Sequence, residues 1–199
     1  MKRLFIISLF VFLTGCTHSI TVKSNYVESN PNQFKSEKLS QQETCIVLTP
    51  ELKNYIFEKK VYNWAGGSMF KDTLFFDLGK PISAEIDNLI SNMFSKSYDA
   101  SNIKDAIGKN GIIIKPEIID SSLDLPSIRG GNIVAEIQVK YSFYDSDGKL
   151  IASRTVLGTG TKALVITKEN YNIAFGEAIS DLINKSKAAI ENVDIQTDG

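Results

Sequence analysis

The clearest pattern in the chain is the alternation that follows Gly130-Gly131. Ile133, Ala135, Ile137, Val139, Tyr141 and Phe143 alternate with Val134, Glu136, Gln138, Lys140, Ser142 and Tyr144. Successive side chains of a strand point to opposite faces, so this spacing predicts a half-buried strand with one face on a core. Asp145-Ser146-Asp147-Gly148-Lys149 then has the chemistry of a hairpin connection, and residues 150–165 are expected to return antiparallel. Two other segments repeat at helical spacing. Ile86, Leu89, Ile90, Met93 and Phe94 fall on one stripe behind Pro81, which suits a first helical turn because its missing N–H has no partner there anyway. Phe175, Ala178, Ile179, Leu182, Ile183, Ala189 and Val193 form a second stripe, in a helix that Thr167 is placed to cap.

Shorter apolar runs fill in the rest. Cys45-Ile46-Val47-Leu48 predicts a buried strand ended by Thr49-Pro50, and Thr73-Leu74-Phe75-Phe76-Asp77-Leu78 another, closed by Gly79. Residues 52–64 fit helix and strand almost equally, with Tyr55, Phe57 and Val61 favouring strand. Ile112-Ile113-Ile114 opens a strand that passes Pro116 only at an edge or a bulge, because proline removes a ladder donor. The expected architecture is α+β: an antiparallel sheet of about four to six strands with two helices packed on one face.

Upstream the pattern changes. Residues 17–43 are rich in Ser, Asn, Gln, Lys and Glu, without a period of strand or helix. Ile20, Val22, Tyr26 and Phe34 are isolated, so the segment is expected to be a flexible tether with a reach of about 30 Å. At the start, Lys2 and Arg3 precede the apolar run Leu4-Phe5-Ile6-Ile7-Ser8-Leu9-Phe10-Val11-Phe12-Leu13, too short to span a hydrocarbon core needing about 20 residues. This is the layout of an export signal. Its end, Leu13-Thr14-Gly15-Cys16, resembles the lipobox of bacterial lipoproteins. That resemblance implies cleavage before Cys16 and acylation of Cys16, palmitate included. Thr17 stands where an aspartate retains many lipoproteins at the inner membrane, which implies the outer membrane, with the domain facing the periplasm. The chain thus divides into a signal peptide (1–15), a lipidated cysteine with its tether (16–43) and a single α+β domain (44–199).

Charge and composition narrow the chemistry. In 199 residues, 22 Lys and Arg face 23 Asp and Glu, which leaves no basic excess for tracking phosphates, so no nucleic acid is expected as a partner. The single histidine is His18, in the tether, so the domain has no Ser-His-Asp or Cys-His constellation and no His-ligated metal. Cys45 has no partner for a disulfide once Cys16 carries lipid, and in its apolar run it reads as a small buried hydrophobe. No metal and no cofactor is expected. Gly158-Thr159-Gly160-Thr161-Lys162 lacks the spacing of a phosphate loop and the helix that should follow it, and reads as a strand in which glycines permit a bulge or bend. Asp145, Asp147 and Gly148 have part of a calcium-loop spacing but not its later ligands. Glu117 and Asp120 are a carboxylate pair with no surrounding motif. Tyr55, Phe57, Tyr62 and Trp64 form the densest aromatic group, read either as a platform for a protein or glycan partner or as packing at the sheet edge.

The order of elements from 130 to 193, with Asn170, Ala174, Phe175, Ala178, Asp181 and Leu182 in the last helix, resembles the carboxy-terminal half of YajG-like and related envelope lipoproteins, including auxiliary lipoproteins of lipid-transport ABC systems. Val47-Leu48-Thr49-Pro50-Glu51-Leu52 is similar to the start of such domains. The resemblance implies a periplasmic accessory or assembly role without catalysis, and it carries no active site over to this chain. The expected function is therefore that of a non-enzymatic outer-membrane lipoprotein that binds another envelope component, a protein or a glycan. Two alternatives stay open. A carboxylate-dependent cell-wall hydrolase needs a deep cleft with two acidic side chains about 5–9.5 Å apart. A small-lipid carrier needs an apolar cavity between helices and sheet.

Overall fold

A computed structural model describes residues 17–24, 26–65, 68–125, 131–163 and 168–193, with backbone alone for 62–65, 68–71 and 168. The fold is α+β with two sheets. The smaller has the order β1-β4-β3, formed by β1 (Thr17–Thr21), β3 (Ile56–Ala65) and β4 (Ser68–Asp77). The larger has the order β5-β2-β6-β7-β8, formed by β2 (Glu43–Val47), β5 (Lys96–Ala100), β6 (Ile112–Asp124), β7 (Asn132–Tyr144) and β8 (Leu150–Ala163). The single antiparallel sheet expected from the sequence is corrected by this: both sheets are mixed. β1 runs parallel to β4, and β2 runs parallel to both β5 and β6. Parallel neighbours need long crossovers, and here the chain between β2 and β5 holds β3, β4 and a 15-residue helix.

That helix, α3 (Gly79–Met93), and the long α5 (Lys168–Glu191) carry the two stripes read from the sequence. Ile86, Leu89, Ile90, Met93 and Phe94 share one buried core with Phe175, Leu182 and the inward residues of β7 from Ile133 to Phe143. Pro81 is the third residue of α3 rather than its first. A smaller core lies on the other face of the large sheet, where Cys45, Val47, Ala100 and Ile113 meet Ala106 of α4 (Ile103–Ala106). In β6, Pro116 lies beyond Ile114, the last residue paired with β2, and the register with β7 shifts between Ile118 and Asp120. Proline is tolerated there for both reasons expected: one side of the strand is open and a bulge follows.

The expected tether is overturned. Beyond β1, residues 17–43 hold α1 (Tyr26–Ser29) and a 3-10 helix (Pro31–Phe34), and they contribute Ile20, Val22, Val27, Phe34 and Leu39 to the main core. Val27, Phe34 and Leu39 are completely buried. The segment is fixed by polar contacts as well as by burial. Both oxygens of Glu85, a buried carboxylate of α3, are used: Oε1 accepts from the Ser24 hydroxyl and, at 2.5 Å, from the Tyr26 N–H, while Oε2 accepts from the Val27 N–H at 2.9 Å. Lys38 Nζ donates to the Glu191 carbonyl at 2.7 Å, and Lys187 Nζ to the Gln33 carbonyl at 2.9 Å. Composition misled here because isolated apolar residues, each docked into a separate gap, leave no period in the sequence.

Candidate functional site

Of the candidate residues, Cys16 lies outside the described residues, as does Thr167, the expected cap of the last helix. Tyr55 and Phe57, the two aromatics of the group whose side chains are described, stand in different settings. Tyr55 sits between α2 (Pro50–Lys53) and β3, half-buried, with its hydroxyl 2.7 Å from Ser121 Oγ of β6. Phe57 pairs across the strands with Phe76, and its ring lies 5.8 Å from that of Phe175 at a steep angle. An edge-to-face contact of this kind stabilises a core, so Phe57 packs inward rather than forming part of a platform. Tyr62 and Trp64 occupy β3 opposite Lys71 and Met69. Their side chains lie outside the described residues.

A surface groove opens where strands of the large sheet end. β2 and β5 run side by side in the same direction, and the chain leaving each turns at a short capped helix. Thr49 Oγ1 accepts from the Leu52 N–H at 3.3 Å, and Asn102 Oδ1 from the Asp105 N–H at 3.1 Å. Between these two turns lies an open space of about 720 Å³, bordered by Thr49, Glu51, Asn102, Ile103, Lys104 and Lys115. A neighbouring space of about 310 Å³ continues it along β6 past Tyr55, Glu117 and Ile118. The walls carry both signs of charge. Lys115 Nζ is 2.8 Å from Glu117 Oε1, and the Glu51 carboxyl is held below its usual range by its own backbone N–H and then by the Thr49 hydroxyl. The groove is wide open, with a mainly apolar lining that these charged side chains interrupt. Its shape differs from the deep, mostly apolar cavity of a small-ligand site.

The chemistry that the sequence suggested resolves into structural roles. Asp145 Oδ1 accepts from the Asp147 N–H at 3.1 Å and from the Lys149 N–H at 2.8 Å, and Gly148 takes the left-handed conformation that this turn requires. At Gly158 and Gly160 the register of β8 with β7 runs unbroken, which corrects the expected bulge. A Cβ at Gly160 would stand 2.0 Å from the Ala174 carbonyl oxygen, and one at Gly158 2.2 Å from that of Ala178. These glycines let α5 lie directly on the strand. Acidic side chains of α5 then cap the outer edge of β8: Asp181 accepts from the Thr159 N–H at 2.8 Å and Glu177 from the Thr161 N–H at 3.2 Å. The space between α5 and the sheet is filled by Tyr141, Phe175, Leu182 and Ile183, all fully buried. Cys45 is buried in the smaller core, and burial pushes its thiol above the ordinary range, Lys109 opposing and Asp99 adding to the shift.

Among the described residues no group of three or more His, Cys, Asp and Glu side chains is placed to hold a metal ion, and no helix is long and apolar enough to cross a membrane. No family model and no curated protein matches the chain. Among solved structures, one similar to it is a protein of Xanthomonas campestris grouped under the family model DUF330, with 12% identity, 87% of this chain and 94% of that chain covered, and a TM-score of 0.45. Another is a minor lipoprotein from Acinetobacter baumannii, with 10% identity, 75% of this chain and 92% of that chain covered, and a TM-score of 0.42.

Proposed function

We propose that this chain is a non-enzymatic lipoprotein of the bacterial outer membrane, anchored through Cys16, whose domain binds another component of the envelope. The observation that carries the reading is the leader: two basic residues, an apolar run and Leu13-Thr14-Gly15-Cys16. Three acyl chains on Cys16 hold the protein far more firmly than a single chain, which gives only marginal binding. The resemblance to YajG-like lipoproteins supports an accessory or assembly role, and the open mixed-charge groove beside Tyr55 is the surface we assign to the protein or glycan partner. The openness of that groove, with Glu51, Lys115 and Glu117 along its walls, favours contact with a macromolecule over enclosure of a small one.

Labelling of cells with a radioactive palmitate, followed by membrane fractionation, tests the anchor. Wild-type protein should carry label and sediment with the outer membrane; Cys16→Ser should carry none, and should be retained uncleaved or released. A Cys16→Ser protein found unlabelled in the outer membrane in the wild-type amount would overturn the reading.

A further inference from the structure

We infer that the far end of the β3–β4 hairpin enters the lipid bilayer beside the anchor, as a second, protein-made contact with the membrane. The inference rests on the lipid-anchor reading of Cys16 and deepens it. Its basis is register. Thr17 is the first residue of β1 and pairs with Thr73 of β4, which in turn pairs with Lys60 of β3. Consecutive Cα atoms are about 3.8 Å apart, so the lipid-bearing residue stands within that distance of this row, and no spacer separates lipid from fold.

The direction of the strands does the rest. β1 is parallel to β4, so the amino-terminal end of β1 lies toward the side on which β4 begins. On that side β3 and β4 continue past the row for five further pairs: Val61 with Asp72, Tyr62 with Lys71, Asn63 with Phe70, Trp64 with Met69, and Ala65 with Ser68. At roughly 3.3 Å per residue the hairpin projects about 17 Å beyond the level of Thr17. An interfacial element is buried about 5–10 Å into the boundary between headgroups and acyl chains. A lipid fixed at the level of Thr17 therefore draws the end of the hairpin into that zone.

The residues found there have the matching chemistry. From Val61 to Ala65 and from Ser68 to Phe70 there is no charge, and Tyr62, Trp64, Met69 and Phe70 are aromatic or long and apolar. At the level of the row or within two residues of it, Lys59, Lys60 and Lys71 stand against Asp72 and Glu58, the latter paired with Lys60 at 3.6 Å, which leaves a small basic excess. Aromatic residues outermost with lysines behind them suit a membrane interface, where Trp and Tyr rings sit among headgroups and ammonium groups reach the phosphates. The occupant is thus a phospholipid surface.

Trp64 is the only tryptophan, so its emission reports on the hairpin without labelling. The acylated protein purified from membranes is placed in vesicles of phosphatidylethanolamine and phosphatidylglycerol, with and without phospholipids brominated near the headgroup end of their acyl chains. Mass spectrometry of the same sample reads the acyl chains. The expected result is emission shifted to shorter wavelength and strongly quenched by the brominated lipid. Acylated, vesicle-bound protein whose Trp64 emission stays water-like and unquenched would overturn the inference and leave the anchor standing. Short-wavelength emission without bromine quenching would place the hairpin against protein, another copy included, and would overturn it too. A chain without acyl mass removes the anchor reading, and this inference with it.

Discussion

Glu85 sits on the buried side of α3, where a carboxylate is costly unless its oxygens are used. Here they accept two backbone N–H groups at the start of α1 and the Ser24 hydroxyl, so the residue ties the amino-terminal segment to the domain. Leaving a buried donor unpaired costs about 1–3 kcal/mol. Glu85→Ala should therefore lower stability by about 2–5 kcal/mol in urea unfolding, and Glu85→Gln by less, because its amide oxygen still accepts. Equal and negligible losses would show that the contact holds nothing. Cys45 offers a test of burial by chemistry. The nucleophile is the thiolate, and a buried thiol with a raised pKa is short of both access and charge. An aromatic disulfide reagent should leave Cys45 intact in the native protein at neutral pH and titrate it fully in denaturant. A thiol held above its unfolded pKa contributes its full stability below that pKa of about 8.5 and loses it as the pH rises further. Burial pushes the Tyr141 hydroxyl up in the same way, while it donates to Ser186 Oγ at 2.8 Å, so the two groups together predict weakening in alkali.

At the scale of elements, the joint between β8 and α5 is the place where sequence and packing are most tightly coupled. A small residue on the strand faces a small residue on the helix, as Gly160 faces Ala174 and Ala178. Gly160→Ala should force the helix away from the sheet and cost about 1–3 kcal/mol or more by overpacking. The sequence alone suggested a bulge or bend at these glycines, because a glycine kept for its conformation and one kept for close approach look the same in one dimension. β7 was legible by contrast, since its alternation has only one meaning: Ile137, Val139 and Tyr141 are fully buried while Glu136, Gln138 and Lys140 are partly exposed. The consequence is an asymmetry between faces. Leu182→Ala, opposite the buried face, should cost about 2–5 kcal/mol including its cavity, whereas Lys140→Ala should change stability by no more than about 0.5 kcal/mol. Comparable losses in urea would mean that both faces of the strand are covered.

For the molecule as a whole, the parts read correctly from sequence are those whose signal is local: two amphipathic helices, the alternating strand, the Asp-Gly turn. The parts missed depend on distant partners. β5 is five residues long, with only Ala100 buried, and it pairs with a strand that lies some fifty residues earlier in the chain, far from any local cue. Residues 17–43 were missed for the same reason, since Glu85, Asn184 and Glu191, which hold them, lie far along the chain. The correction changes what the amino-terminal region is expected to do. A tether is dispensable to folding, but a segment that buries Ile20, Val22, Val27, Phe34 and Leu39 is not. At about 1.5–3 kcal/mol for each buried side chain, these five contribute on the order of 7–15 kcal/mol before entropy is subtracted, comparable with the 5–15 kcal/mol that keeps a domain folded. A chain beginning at Thr44 should therefore lose cooperative unfolding and bind a hydrophobic dye, while one beginning at Thr17 should unfold in a single transition without any lipid attached. If the shorter chain kept the urea midpoint and slope of the longer one, the amino-terminal segment would be an ornament on a complete core. The proposed membrane contact of the hairpin rests on the same point, because it requires β1 to be fixed in the fold beside β4.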